Sequence, residues 1–268
     1  MMECNASMAK NLVIVVPVRN EAKFIRPSVD LIQSFFSNIS DLDWKIVVAD
    51  NGSSDDTENI VREMEKGYGT RLSYFSIPIA GRGNAVREAV KRFRADFFIL
   101  IDVDVPIKKT AVLEFISALK DGTADIIVGK RDGNRPWYRK HMTRGWSTLA
   151  RLFFGLHISD LQCGAQGFNR RAADLLRENC HEEKWFLYTE FLVTAHRAGL
   201  IIREIPVQWV EHRFAERKSR VNIMGDTLSG LAFLVRFSNR IYPRRLRNYV
   251  CLTLGGIALV LVLLLFYR

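Results

Sequence analysis

The chain has 268 residues, 48% of them hydrophobic, and a formal net charge of +10. That suffices for one sizeable core plus an appendage, hence one or two domains, and the positive balance implies an anionic partner: nucleotide, nucleic acid or lipid phosphate. Cys4, Cys163, Cys180 and Cys251 show no short paired spacing, which argues against a zinc site or a disulfide framework and fits a reducing, cytosolic setting.

Residues 1–10 lack an apolar stretch, so no secretory leader is expected. Residues 12–16 predict a strand stopped at Pro17, followed by the polar loop Arg19-Asn20-Glu21. Phe24, Ile25, Val29, Ile32 and Phe36 then recur at helical spacing. A second strand, 44–49, runs into Asp50-Asn51-Gly52-Ser53-Ser54-Asp55. Asp55 and Glu58 resemble a capping pair for a helix that runs to Lys66 and is ended by Gly67 and Gly69. A weaker strand spans 72–77, and Gly81-Arg82-Gly83 opens a helix over 84–93. The apolar run from Phe97 reads as a strand buried on both faces, and it ends in Asp102-Val103-Asp104-Val105-Pro106. A helix over 110–120, stopped by Gly122, and a strand over 125–128 complete an alternation that implies βαβ units and a mainly parallel sheet.

Beyond Gly129 the pattern changes. Residues 130–151 are basic and aromatic, 160–168 read as a glycine-containing loop, and 171–178 and 188–197 as helices. Residues 201–210 read as a strand, placed at an edge by the proline inside it. Residues 223–241 carry an apolar stripe (Leu228, Leu231, Leu234, Val235) with arginines at its end, which suits a helix lying on a membrane surface. Residues 250–266 hold no charge and are rich in Leu, Val and Ile, at the lower length limit for a membrane span. The Lys/Arg excess before them places residues 1–248 on the cytoplasmic side.

Ligands of open α/β sheets bind beyond the carboxyl ends of strands. Asp102 and Asp104 stand there, and in extended chain i and i+2 point to one side, where a hard cation such as Mg²⁺ or Mn²⁺ would take both carboxylates and complete its shell from phosphates. Taken alone, so short a pattern also suits an ordinary strand-end turn. Three further constellations lie at strand ends or a helix start: Pro17 to Glu21, Asp50 to Asp55, and Gly81-Arg82-Gly83, where free backbone N–H groups favour anions. Together they point to a nucleotide-diphosphate site.

The ordered set VVPVRNE (15–21), VVADNGSSDDT (47–57), AGRGNAV (80–86), DVDV (102–105), DLQCGAQGFNR (160–170), WFLYTEFLVTAHRAG (185–199) and IPVQW (205–209) resembles the inverting GT-A glycosyltransferases of family 2, which use nucleotide-sugar donors. The closer match is the polyprenyl-phosphate hexose synthases of the dolichyl-phosphate mannose and glucose type, over about residues 11–220. The resemblance implies an α/β, GT-A (Rossmann-like) domain over 1–222; the residues beyond it are expected to form a basic amphipathic juxtamembrane segment over 223–248 and a transmembrane helix over 249–268. It assigns Pro17, Arg19, Asn20, Glu21, Asp50, Gly52, Ser53, Asp55, Gly81, Arg82 and Gly83 to the donor, with Glu21 and Asp50 bonding its base or ribose. Asp102 and Asp104 would hold Mg²⁺ or Mn²⁺ on the pyrophosphate, Gln166 and Gly167 would shape the sugar pocket, and Glu190 matches an acidic position near the sugar. Arg131 and Arg144 match the acceptor-phosphate arginines; Arg139, Arg213, Arg217 and Lys218 are further cations for that role. A polyprenyl phosphate, with a second pKa near ~6, is largely dianionic at neutral pH and needs positioning and charge cancellation more than a general base.

There are departures. Asn51 stands where the family often has a second acid, and Pro106 where the mannose enzymes often carry Gln. The loop DLQCGAQGF is closer to the glucose type, which favours UDP-glucose over GDP-mannose. Two other classes compete: a membrane-tethered nucleotide-sugar-binding module without turnover, and a nucleic-acid binder. The basic residues argue against the second, because residues 203–247 hold ten Lys/Arg and four Asp/Glu beside the apolar tail. The expected partners are therefore a nucleotide sugar, a polyprenyl phosphate and a membrane, without nucleic acid, and with homo-oligomerisation left open.

Overall fold

The computed structural model describes residues 9–78, 80–133, 136–210 and 223–242. Its strands are β1 Lys10–Val18, β2 Leu42–Asp50, β3 Leu72–Ser76, β4 Phe97–Leu100, β5 Ile126–Asp132, β6 Gln166–Asn169 and β7 Ile202–Gln208. They form one sheet in the order β3-β2-β1-β4-β6-β5-β7. Pairing is parallel except at β6, which runs antiparallel to both β4 and β5. The helices are α1 Ile25–Phe36, α2 Thr57–Tyr68, α3 Arg82–Arg92, α4 Lys109–Lys120, α5 Trp137–Phe154, α6 Arg170–Asn179, α7 Leu187–Arg197 and α8 Ile223–Ile241. The mainly parallel α/β sheet expected from the alternation is present, and Pro206 sits in the edge strand β7.

Central strands are continuous apolar runs because helices cover both faces. Successive side chains alternate between those faces. Phe98 of β4 stacks on Phe168 of β6 at 5.4 Å, and Phe168 meets Phe191 of α7 at 5.3 Å. Their neighbours Ile99 and Gly167 point the other way, beneath Phe115 and Leu119 of α4. Gly167 therefore faces core rather than the sugar pocket expected for it: a Cβ there would lie 2.8 Å from Ile99 Cδ1.

Several local expectations are corrected. The loop read over 160–168 runs into β6, whose four residues, QGFN, are too short and too polar to signal a strand. Most of the basic, aromatic stretch forms α5. Asp55 and Glu58 do not cap α2: Asp56 holds the cap position without a side-chain bond to a helix N–H, while Asp55 accepts from the backbone N–H of Thr57 and of Ala22, both at 3.1 Å. Gly67 lies within α2, and Gly69 (φ 56°) ends it.

The apolar stripe of α8 packs in part on the domain itself. Phe233, Leu234 and Phe237 are buried, Phe237 contacts Phe154 of α5, and Leu228 is exposed. The segment expected to span a membrane, and Arg213, Arg217 and Lys218, lie outside the described residues. Among the described residues no helix is long and apolar enough to cross a membrane.

Gly167→Ala should destabilise the domain by about 1–3 kcal/mol through overpacking beneath α4. Urea denaturation measures this; an unchanged midpoint would contradict the packing described.

Candidate active site

The strand order makes the chain move outward from β1 to β3 and return on the other side of β1 at β4. That reversal opens a crevice at the carboxyl ends of β1 and β4, where sheets of this kind bind ligands. The loops after β1 and β2 are sewn together beside it. Asn20, in the left-handed region at φ 51°, donates its N–H to Ser53 Oγ (2.8 Å) and accepts from the Ser54 N–H through Oδ1 (2.7 Å). The Glu21 N–H donates to Thr57 Oγ1 at 2.9 Å. Asp50 is buried and accepts from the Ser53 N–H and hydroxyl, both at 2.8 Å, and from the Tyr74 hydroxyl at 2.7 Å. Burial and the bond to Asp50 raise the Tyr74 pKa, so the phenol remains the donor. The residues expected around the nucleotide thus first hold one another in place, and Asp50, with about four lone-pair sites, keeps some acceptor capacity.

After β4 the chain is a turn. The Val105 N–H donates to the Asp102 carbonyl at 2.8 Å, and Val105 has φ 41°. A β-branched residue in that region costs about 1–3 kcal/mol. The turn persists because Val105 is buried, the Val103 carbonyl accepts from the Ser28 hydroxyl, and the Pro106 carbonyl accepts from the Val210 N–H (2.7 Å). The expectation that Asp102 and Asp104 project together from an extended strand is therefore corrected, since β4 ends at Leu100. The Asp102 carboxylate forms an ion pair with Arg82 and rests on Gly164, where any Cβ would collide with it. Asp104 lies partly buried in the same turn.

Arg82 also donates from Nε to the Tyr188 hydroxyl at 3.0 Å, and its guanidinium lies 5.2 Å from the Trp185 ring centroid. Burial disfavours its charge, but Asp102 and Tyr188 more than compensate and raise its pKa. Burial likewise raises the Tyr188 pKa, against the pull of Arg82. Gly81 and Gly83 do not form the open anion cradle expected of them. The backbone of residues 182–184 packs against them: a Cβ on Gly83 would lie 2.7 Å from the carbonyls of Glu182 and Lys184. The Asn84 N–H is taken by the Glu183 carbonyl at 3.0 Å.

The reversed direction of β6 brings the preceding loop to the same edge of the sheet. Asp160, buried there, binds Arg131 bidentately, Nε to Oδ2 and Nη2 to Oδ1, both at 2.6 Å. Arg131 also lies over Trp209 at 5.2 Å. Burial opposes its charge while the bonds to Asp160 raise its pKa. The guanidinium expected at the acceptor phosphate is thus already paired within the protein. Cys163 is buried beside this pair, and burial pushes its thiol up to about 12. Gln166 is buried and donates to the Cys163 carbonyl at 3.2 Å. Arg144 is exposed on α5, and Arg139 is half-buried there. Glu190 is engaged at both oxygens: Oε2 accepts from the N–H groups of His181 (3.0 Å) and Glu182 (2.5 Å), and Oε1 from Arg240. Tyr188, Asp160, Gly164 and Tyr74 had no assigned role. Asp160 and Tyr188 stand inside motifs already singled out, while Tyr74, in a weak strand, carried no signal.

Among the described residues no group of three or more His, Cys, Asp or Glu side chains could hold a metal alone. Two carboxylates in one turn, Asp102 and Asp104, fit a hard cation that completes its shell from substrate oxygens, as Mg²⁺ and Mn²⁺ do.

Comparison with known proteins agrees with this geometry. The model of glycosyl transferase family 2 matches residues 13–176, and the chain belongs to that family. It is 31% identical over 205 residues to Glycosyltransferase AglD of Haloferax volcanii, covering 73% of this chain and 32% of AglD. It is 30% identical over 214 residues to Dolichyl-phosphate beta-glucosyltransferase ALG5A of Trichomonas vaginalis, covering 75% of this chain and 66% of ALG5A. The chain thus spans about a third of AglD and just under two thirds of ALG5A. The fold is that of glucosyl-3-phosphoglycerate synthase from Mycobacterium tuberculosis, solved in complex with Mn²⁺ and UDP-glucose, with a TM-score of 0.65, 20% identity, 86% of this chain and 79% of that chain covered.

Arg131→Met would strand Asp160, 4% exposed at its side chain, without its cation. The expected loss is about 3–5 kcal/mol of stability, read by chemical denaturation; a loss below about 1 kcal/mol would show that the pair is not buried as described.

Proposed function

We propose that the protein transfers a hexose, with inversion, from a nucleotide sugar to a polyprenyl or dolichyl phosphate, with UDP-glucose the favoured donor and GDP-mannose the alternative. The observation that carries the reading is the Asp102–Arg82 pair, with Asp104 in the same turn, at the carboxyl end of β4 beside the sewn loops after β1 and β2. The dolichyl-phosphate glucosyltransferase relatives support the choice of acceptor and sugar.

In this reading Asp104 and Asp102 would hold a divalent cation on the donor diphosphate. When bound, the cation neutralises charge building on the leaving nucleoside diphosphate. Arg82 balances Asp102 inside the protein before the donor arrives, and Asp50 and Glu21 accept from the base or ribose. The acceptor phosphate oxygen attacks the anomeric carbon as the bond to the diphosphate breaks. The acceptor is already deprotonated, so the protein's task is to hold two anions close, for which exposed Arg144 is available. Membrane attachment through residues 250–266, with the catalytic domain cytoplasmic, belongs to the same proposal. A lipid phosphate lies in the headgroup layer, and each basic residue near an anionic leaflet contributes about 1 kcal/mol to docking.

The test is to incubate membranes carrying the protein with labelled UDP-glucose and GDP-mannose in parallel and to extract the lipid phase. Label from UDP-glucose is expected there. Label from GDP-mannose alone would change the sugar, and no lipid label from either would overturn the proposal. Asp104→Ala should abolish transfer, while Arg144→Ala should raise KM for the lipid phosphate roughly tenfold or more and leave donor KM unchanged, as expected for loss of a charge-assisted bond. Equal donor and acceptor effects in the Arg144 variant would contradict its assignment.

A further inference from the structure

The residues that aim Arg82 are themselves tied to α8. Tyr188 and Glu190 sit two apart in the first turn of α7, so they point about 200° from one another around its axis. Tyr188 holds Arg82. Glu190, buried, collects the N–H groups of His181 and Glu182 on one oxygen and Arg240 of α8 on the other. Those two N–H groups begin the segment whose carbonyls, at 182, 183 and 184, press on Gly81 and Gly83 and cap Asn84. A second tie joins Arg236 of α8 to Glu182 at 3.5 Å. The segment is thus clamped between α8 and the glycines that flank Arg82.

We infer that the Arg240–Glu190 ion pair positions the 181–184 segment, and through it Arg82 against Asp102, so that α8 sets the affinity of the diphosphate site. The inference rests on the functional reading above and deepens it by naming Arg240 and Glu190 as positioning residues. Two features make the link specific. The glycines leave no slack, because the carbonyls of 182 and 184 lie closer to Gly83 than any Cβ would permit. Among the described residues the one cation on Glu190 is Arg240, and its remaining bonds go to the segment it positions. A neighbouring cavity of about 270 Å³, lined by His181, Glu182, Phe233, Arg236, Phe237 and Arg240, does not supply an anion site of its own, since both arginines are already paired with glutamates.

Arg240→Met leaves the buried Glu190 with its two backbone N–H donors and is expected to fold with lower stability, and Arg240→Lys keeps the charge. Donor-nucleotide affinity and thermal stability are measured separately on the full chain for wild type, both variants, Arg82→Lys and the double variant Arg82→Lys/Arg240→Met. The inference predicts that Arg240→Met weakens the donor nucleotide about tenfold, that Arg240→Lys restores most of it, and that Arg240→Met adds little in the Arg82→Lys background, because both changes act through one path. A lower melting temperature with unchanged donor affinity would show a structural role only and overturn the inference, as would full additivity with Arg82→Lys. A wild-type protein that binds no nucleotide sugar would instead refute the functional reading.

Discussion

The structure depends on a carboxylate and a guanidinium kept largely out of water at the end of β4. Neither Asp102 nor Arg82 would be tolerated there alone, since burying an unpaired charge costs several kcal/mol. Each therefore dictates its surroundings. Asp102 requires a residue without a side chain beneath it, which Gly164 supplies. Arg82 requires a helix start pressed close to another segment, which Gly81 and Gly83 allow. Tyr188 and Trp185 then close around the guanidinium. The strained Val105 belongs to the same arrangement, because the turn it closes carries both acids of the motif.

The architectural device behind this is the reversed strand β6. In a fully parallel sheet the residues before a strand lie at the far edge from the carboxyl ends. Running β6 antiparallel between β4 and β5 puts its preceding loop at the near edge. Asp160 thereby comes to Arg131 from 29 residues away in sequence, and Gly164 comes to Asp102 across a still longer separation. The alternation of side chains along β6 explains why Gln166 and Gly167, adjacent in sequence, part company: one borders the loop bearing Cys163 and the other enters the core beneath α4.

Much of the fold was legible because buried parallel strands are continuous apolar runs and their helices carry apolar residues at helical spacing. Strand-end acids and the Gly81-Arg82-Gly83 turn could be marked on the same grounds. What the residues could not reveal was orientation. Nothing in AGRGNAV says that its glycines admit a carbonyl-lined segment from a hundred residues later rather than a phosphate. Nothing in QGFN announces a strand, so the reversal was hidden, and with it the pairing that engages Arg131. Glu190 was singled out as an acid near the sugar, yet its bonds run to backbone amides and to Arg240, a partner fifty residues away that only packing of α8 could bring to it. Side-chain identity suggested which groups matter; the tertiary contacts determine which of them are already satisfied.

The central claim is that the Asp102–Arg82 turn receives a nucleoside diphosphate together with a divalent cation. Calorimetric titration of the wild type and Asp102→Asn with UDP, GDP and their monophosphates, with and without Mn²⁺, tests it directly. The account predicts that one diphosphate binds the wild type at least tenfold more tightly with Mn²⁺ than without, that its monophosphate shows little such dependence, and that Asp102→Asn loses the metal effect. Equal binding of diphosphate and monophosphate, or an undiminished metal effect in Asp102→Asn, would contradict it.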